Sequence, residues 1–374
     1  MKNHRLPPRW CLAPILALAA SALLGAAEPP PVKWHPGHYV LVGGGNEIRE
    51  AVTLPHFRGV QKMYSWRDFE PEFGRYDFSA LRADLETVRR HGRQLVMQLT
   101  YKSFAKGRRS VPDYLTGEAY GGGVYATVKG ALNPVLWNAN VAARFDALVQ
   151  ALGREFDRDP NLEAVNLPET APSARLGLSP QAGVQTYTEA AYFEALKQGM
   201  TTLRRAFPNT VVIQYTNFPP KLLEALTDYE KEIGVGMGGP DVYPREDAVS
   251  DPKTGVYRLY AKLAGTVPLG AAVQKENYAV AYKKRSALGR GQQEMNGRPI
   301  VITAEDEKPI PVREHLQLAR ETLKLNYLFW ASTPRKDFEN VNKLLAEPDL
   351  ASDPAGGLDA TLPPKAFLRP PANP

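Results

Sequence analysis

Two glutamates stand where acid–base chemistry could be done. Glu169 follows the run Leu162-Glu163-Ala164-Val165-Asn166-Leu167, whose composition is that of a strand. Pro168 ends that strand, because proline has no N–H to give to a sheet ladder. Glu276 follows in the same way from Val267–Val273, in the tetrapeptide Gln274-Lys275-Glu276-Asn277. A pair of carboxyl groups facing one another is what glycosidic bond cleavage requires. One is protonated and delivers a proton to the leaving oxygen, and the other is ionised and attacks or activates water. Glu305, in Val301-Ile302-Thr303-Ala304-Glu305-Asp306-Glu307, competes with Glu276 for the second role if the seventh strand lies elsewhere.

Other chemistries find less support. His35, His38, His56, His91 and His315 are scattered, without the H-x-x-x-H or H-x-x-E-H spacing of a zinc site. No G-x-S-x-G elbow is present. Gly43-Gly44-Gly45 lacks the rest of a phosphate-binding loop.

The elements that would hold the two glutamates alternate along the chain. Strands are expected at 38–42, 59–66, 94–100, 162–167, 210–217, 235–243, 267–273 and 327–332. Helices are expected between them, at 79–91, from Asn133-Pro134 to about 156, at 187–207, 222–233, 255–263 and 312–325, with a last one at about 337–345. Ser79 reads as a helix cap and Gly92 as the stop of the same helix. The stretch from Tyr278 to about Pro311 reads as a polar insertion. Alternating strand and helix implies a parallel sheet, and eight repeats fit a (β/α)8 TIM barrel with loop insertions, a doubly wound open sheet being the alternative. In a barrel the carboxyl ends of the strands form one mouth. They would bring Trp66, Gln98, Tyr101, Asn166, Gln214, Asn217, Tyr243, Asn277 and Trp330 around Glu169 and Glu276. Aromatic faces, amides and carboxylates together suit an oligosaccharide or polysaccharide. Tyr243 is placed to hydrogen-bond Glu276.

Composition sets the remaining bounds. The 374 residues are 43% hydrophobic and 23% charged, as in globular proteins. Residues 1–27 read as a secretory leader, with Lys2, Arg5 and Arg9, then the apolar run Leu12–Leu24, then Gly25-Ala26-Ala27. Residues 28–345 would form the barrel, and the Pro-rich remainder, 346–374, a loosely held tail. Without the leader the balance is 43 basic residues (46 − 3) against 40 acidic. No basic cluster is left, so nucleic acid is not an expected partner. The lone cysteine, Cys11, precedes the apolar run, so no lipid anchor is expected. A secreted or periplasmic protein follows from this reading, with no membrane anchor after cleavage.

One block adds a resemblance. Tyr64-Ser65-Trp66, Glu70-Pro71, Gly74 and Tyr76-Asp77-Phe78 resemble the second-strand signature of clan A glycoside hydrolases, nearest the β-galactosidase-like and related retaining families. The resemblance implies a barrel over about 35–345, an acid/base glutamate after strand four and a nucleophilic glutamate after strand seven. Glu169 and Glu276 match those places, and a retaining double displacement on a β-linked substrate, with no cofactor, is the implied reaction. The chain departs from the clan in having Pro168, not Asn, directly before the acid/base, with Asn166 further back. Its strand-seven context also lacks the usual small residues. A carbohydrate-binding barrel without turnover is the alternative.

Overall fold

The structure is a computed structural model and describes Met1 and residues 33–127, 130–172, 187–245, 255–289, 291–295 and 297–363. The leader reading on residues 1–27 thus lies outside the described residues, Met1 apart, and so does the last part of the tail.

Eight parallel strands form a closed ring: β1 Gly37–Val42, β2 Gly59–Ser65, β3 Gln94–Thr100, β4 Leu162–Leu167, β5 Val211–Tyr215, β6 Gly236–Gly239, β7 Leu269–Val273 and β8 Tyr327–Ala331. Each pairs with its neighbours in chain order, and β8 closes on β1 from Gly37↔Tyr327 to Leu41↔Ala331. The expected (β/α)8 barrel is therefore the observed one, and closure excludes the open sheet. Helices Ser79–Arg90, Ala139–Phe156, Glu189–Ala206, Leu223–Ile233 and Arg335–Leu345 cover the ring, each burying an apolar stripe against it. Among the described residues no helix is long and apolar enough to cross a membrane.

Several local expectations are corrected. Asn133-Pro134 does not start a helix; Leu132–Pro134 pairs with Val124–Ala126, and the Asn133 amide oxygen accepts from Ser103 N. The helix starts at Ala139, because Asn138 Oδ1 can accept from both Asn140 N and Val141 N. Ser79 is the first helical residue rather than the cap, and the Asp77 carboxylate accepts from its N–H. The region read as a polar insertion contains the helix Val280–Gly289, whose Lys284 and Arg285 pair with Asp306 and Glu307 on the following turn. The tail is not loose along its whole length. Ala355 and Leu358 are buried, Trp34 Nε1 donates to Ala360 O, and Asp359 N donates to Leu325 O.

Strand pleat sorts side chains into two cores. Tyr39, Val96, Ala164, Val211, Ile213, Tyr215, Ala272, Tyr327 and Phe329 form a cluster of their own. This cluster follows the inward parity of the strands, and the larger one lies between ring and helices. The glycines of β6 make room for the bulk of β5. A Cβ on Gly238 would lie 2.4 Å from Gly270 O and 2.7 Å from atoms of Ile213 and Tyr215. At the amino end of the barrel Glu163 is fully buried and accepts from His35 N (2.6 Å), His35 Nδ1 (2.7 Å) and Tyr327 Oη (2.8 Å). Those donors replace the water that burial removes.

The second-strand block is a fold-specifying turn. Glu70, fully buried, accepts from Trp66 Nε1 and Gly74 N, both at 2.9 Å, and from the Arg144 guanidinium. Arg144 also lies 4.2 Å from the centre of the Phe73 ring. The Trp66 side chain consequently points away from the barrel mouth, with its ring 5.3 Å from that of Phe145.

Trp330 too faces the outer layer, since Phe329 takes the inward parity on β8. Its Nε1 can only donate, so His38 Nδ1, at 2.9 Å, must accept, and the proton of His38 sits on Nε2, facing Gly356 O at 3.0 Å. Burial lowers the pKa of His38 from 6.5 to about 4. The folded protein disfavours the charged ring, whereas the unfolded chain takes up the proton near its ordinary value. This contribution to stability is complete above pH 6.5 and is lost as the pH falls toward 4, at most about 3 kcal/mol. Urea unfolding midpoints should therefore drop between pH 7 and pH 4.5, and His38→Gln should show a visibly smaller drop. Equal pH dependence in both proteins would contradict the assignment.

Candidate active site

At the carboxyl end of the strands lies a cavity of about 620 Å³. Its lining includes Gln61 and Met63 of β2, Gln98 and Thr100 of β3, Lys102, Phe104, Glu169, Tyr215 at the end of β5, Gln274, Glu276 and Glu47. Carboxylates that leave β4 and β7 thus share one hollow. Each is placed there by a strand that stops just before it.

Glu169 stands two residues beyond β4. Its Oε2 accepts from Asn217 Nδ2 at 2.7 Å, and its backbone carbonyl accepts from Lys102 Nζ at 2.9 Å. The Pro168 carbonyl accepts from Gln214 Nε2 at 2.6 Å, so the turn before the carboxylate is also tied down. Glu276 sits in the single 3-10 turn Lys275–Asn277. Gln274 and Asn277 close that turn reciprocally, with Gln274 N donating to Asn277 Oδ1 at 2.7 Å. Asn277 Nδ2 donates to Asp241 Oδ1 at 2.7 Å, and the Asn277 carbonyl lies 3.0 Å from His315 Nε2. The Glu276 side chain keeps 22% of its surface exposed, with Lys275 Nζ 3.7 Å away.

The cavity floor is polar. Gln61 Nε2 and Asn166 Nδ2 both donate to the Tyr215 hydroxyl oxygen, at 3.0 and 3.4 Å. Both lone pairs are then occupied, and the Tyr215 proton is available to a group above it. Burial holds the Tyr215 pKa above its ordinary value, so it remains a donor at neutral pH. Apolar contact comes from Leu41, Met63, Phe104, Pro168, Pro240 and Ala272.

The residues expected at the mouth divide into three groups. Gln98, Glu169 and Glu276 line the cavity, as does Tyr215, and Asn217 reaches it through Glu169. Asn166 and Gln214 are buried under it, holding Tyr215 and Pro168. Tyr101, Tyr243, Asn277, Trp66 and Trp330 are buried among protein groups. Tyr101 packs on Phe145 at 5.0 Å, and Tyr243 carries the Lys283 ammonium 4.2 Å from its ring centre. The two tryptophans therefore offer no face to a sugar. Glu305 is on a surface turn, 78% exposed and paired with Lys308 at 2.5 Å, and it does not line the cavity. Sequence reasoning passed over Lys102, Gln61 and Glu47. A lysine two residues past the largely apolar strand β3 was the one visible sign.

No protein-family model and no curated protein matches the chain. Solved structures do. The structure of GH5_18 from Bifidobacterium longum subsp. longum ATCC 55813 matches with a TM-score of 0.50 at 10% identity, over 84% of this chain and 80% of that one. A variant of that protein in complex with Manb1-4GlcNAc matches with a TM-score of 0.45 at 11% identity, and there the chain spans 76% of its own length and 62% of the other. The β-galactosidase from Bacillus circulans sp. alkalophilus gives 0.49 at 10% identity, over 79% of this chain and 50% of that one. The likeness is one of fold, and the fold is the barrel that the second-strand block led us to expect of clan A glycoside hydrolases.

Asn277 provides a check on this sorting of the mouth residues. Asn277→Ala removes the hydrogen bonds of its amide with Gln274 N and Asp241 Oδ1, which should cost about 1–3 kcal/mol of stability in urea unfolding. Unchanged stability with weakened ligand binding would instead make Asn277 a direct sugar contact.

Proposed function

We propose that this chain is an exported glycoside hydrolase that cleaves β-linked glycosidic bonds with retention of configuration. Glu169 is the acid/base and Glu276 the nucleophile. The observation that supports this most is that both carboxyl groups line one cavity while arriving from β4 and β7, far apart in the ring. In the first step the Glu169 carboxylic acid protonates the glycosidic oxygen as Glu276 attacks the anomeric carbon, forming a glycosyl ester. In the second, Glu169 takes a proton from water, which displaces the sugar from Glu276. Asn217 steers the Glu169 carboxyl, and the Tyr215 hydroxyl on the floor is a donor for a sugar oxygen.

Among the described residues the sparse aromatic lining of the cavity weighs against a binding protein that does no chemistry. Such a barrel would rely on exposed rings for affinity. Among the described residues that line the cavity, Phe104 is the exposed ring, at 40%. The lining amides and carboxylates are Glu47, Gln61, Gln98, Glu169, Gln274 and Glu276.

The assignment is tested with aryl β-glycosides. Glu169→Gln should lower kcat by about 10²–10⁴-fold on a poor leaving group. Glu276→Ala with added azide should yield the glycosyl azide of inverted configuration, because azide enters where the nucleophile was. A wild-type protein that turns over no glycoside in a broad panel, yet binds glycans, would establish the binding reading in its place.

A further inference from the structure

The segment that carries Glu169 belongs to no strand or helix, and its carbonyls must find partners outside a ladder. Lys102, two residues past β3 and 6% exposed, extends its ammonium beneath it. Nζ lies 2.9 Å from Glu169 O, 3.5 Å from Ala171 O and 2.8 Å from the Tyr192 hydroxyl. The Tyr192 hydroxyl is 2.5 Å from Thr170 O. A carbonyl only accepts, so Tyr192 donates to Thr170 and accepts from Lys102. One ammonium thereby ties three successive carbonyls, two directly and the middle one through Tyr192.

A second grip comes from β5. Thr170 N donates to Tyr215 O at 2.9 Å, and Thr170 Oγ1 accepts from Asn217 N and Phe218 N, both at 3.1 Å. The backbone of residues 169–171 is thus held from below by Lys102 and from the side by the end of β5 and the residues that follow it. The side chain of the same Asn217 holds the carboxylate. A buried ammonium is a costly way to fill this space, and an alkyl chain would fill it without desolvating a charge. Burial brings the Lys102 pKa down to about 7, the nearby Glu169 carboxylate opposing the change.

We propose that Lys102 is a positioning residue for proton donation: through the Glu169, Thr170 and Ala171 carbonyls it sets where the Glu169 carboxyl stands over the cavity. The inference rests on the assignment of Glu169 as acid/base. It does not require Lys102 to touch the substrate.

Four proteins are compared: wild type, Lys102→Met, Tyr192→Phe and Glu169→Gln. Each is assayed on aryl β-glycosides with a 2,4-dinitrophenyl leaving group, which departs without a proton, and with a 4-methoxyphenyl group, which needs one. Lys102→Met should lose about 10²-fold in kcat on the 4-methoxyphenyl substrate, the scale of loss that displacement of a reacting group produces, with KM little changed. Glycosyl-enzyme formation from the dinitrophenyl substrate, followed in the burst phase, should stay near the wild-type rate. Tyr192→Phe should shift in the same direction by less, and it decides the matter if the lysine variant does not fold.

Equal losses on both substrates would overturn the proposal, because a merely structural lesion does not distinguish leaving groups. A crystal structure of Lys102→Met with the Glu169–Asn217 contact still at 2.7 Å would also overturn it. If Glu169→Gln itself shows no leaving-group dependence, the assignment of Glu169 as the acid fails. The crystallographic comparison then still decides whether Lys102 holds the segment.

Discussion

Closure of the parallel ring is the constraint on which everything else depends. With eight strands running one way and β8 hydrogen-bonded to β1, no edge is left, and every strand delivers its last residue to the same face. Pro168 after β4 and the Gln274–Asn277 turn after β7 stop two strands that lie apart in the ring. Two carboxylates distant in sequence become neighbours of one cavity for that reason alone. The ring can be so narrow because its interior is shared unevenly. The glycines of β6 and β7 yield space to Ile213, Tyr215, Tyr327 and Phe329, whose rings and branches fill the centre.

Buried polar groups divide along the barrel axis by what they do. At the amino end Glu163 is surrounded by donors, and these contacts tie β4, β8 and the segment before β1 together. Below the cavity the donors and acceptors are left partly unspent. Gln61 and Asn166 give their N–H groups to Tyr215, and their amide oxygens have no protein partner. One end is saturated by its own donors, and the other keeps two buried amide oxygens unpaired beneath the cavity.

The parts of the fold that could be read from the sequence follow from this geometry. Strand and helix periods differ, so their alternation and the ring were legible, and the positions just past each strand could be placed on one face without knowing any contact. Side-chain parity was harder. In Tyr327-Leu328-Phe329-Trp330 every residue is apolar, and nothing along the run says which pair faces inward. Trp330 was therefore expected at the mouth when it belongs to the outer layer, and Trp66 was lost to the Glu70 turn in the same way. Lys102 was invisible for another reason. Its meaning lies in Tyr192 and in the carbonyls of residues 169–171, all far along the chain. Asn277 illustrates the converse: an amide beside a cavity-lining carboxylate invites a ligand role, yet its partners are Asp241 and its own turn.

The contacts of Trp34 with Ala360, and of His38 with Gly356, bring the two ends of the barrel domain together at the amino face of the strands. The opening lies at the other pole. A carrier, tag or solid support joined to either end of the domain is therefore attached on the side away from the cavity. Immobilised through those ends, the barrel would present its opening outward, clear of the support.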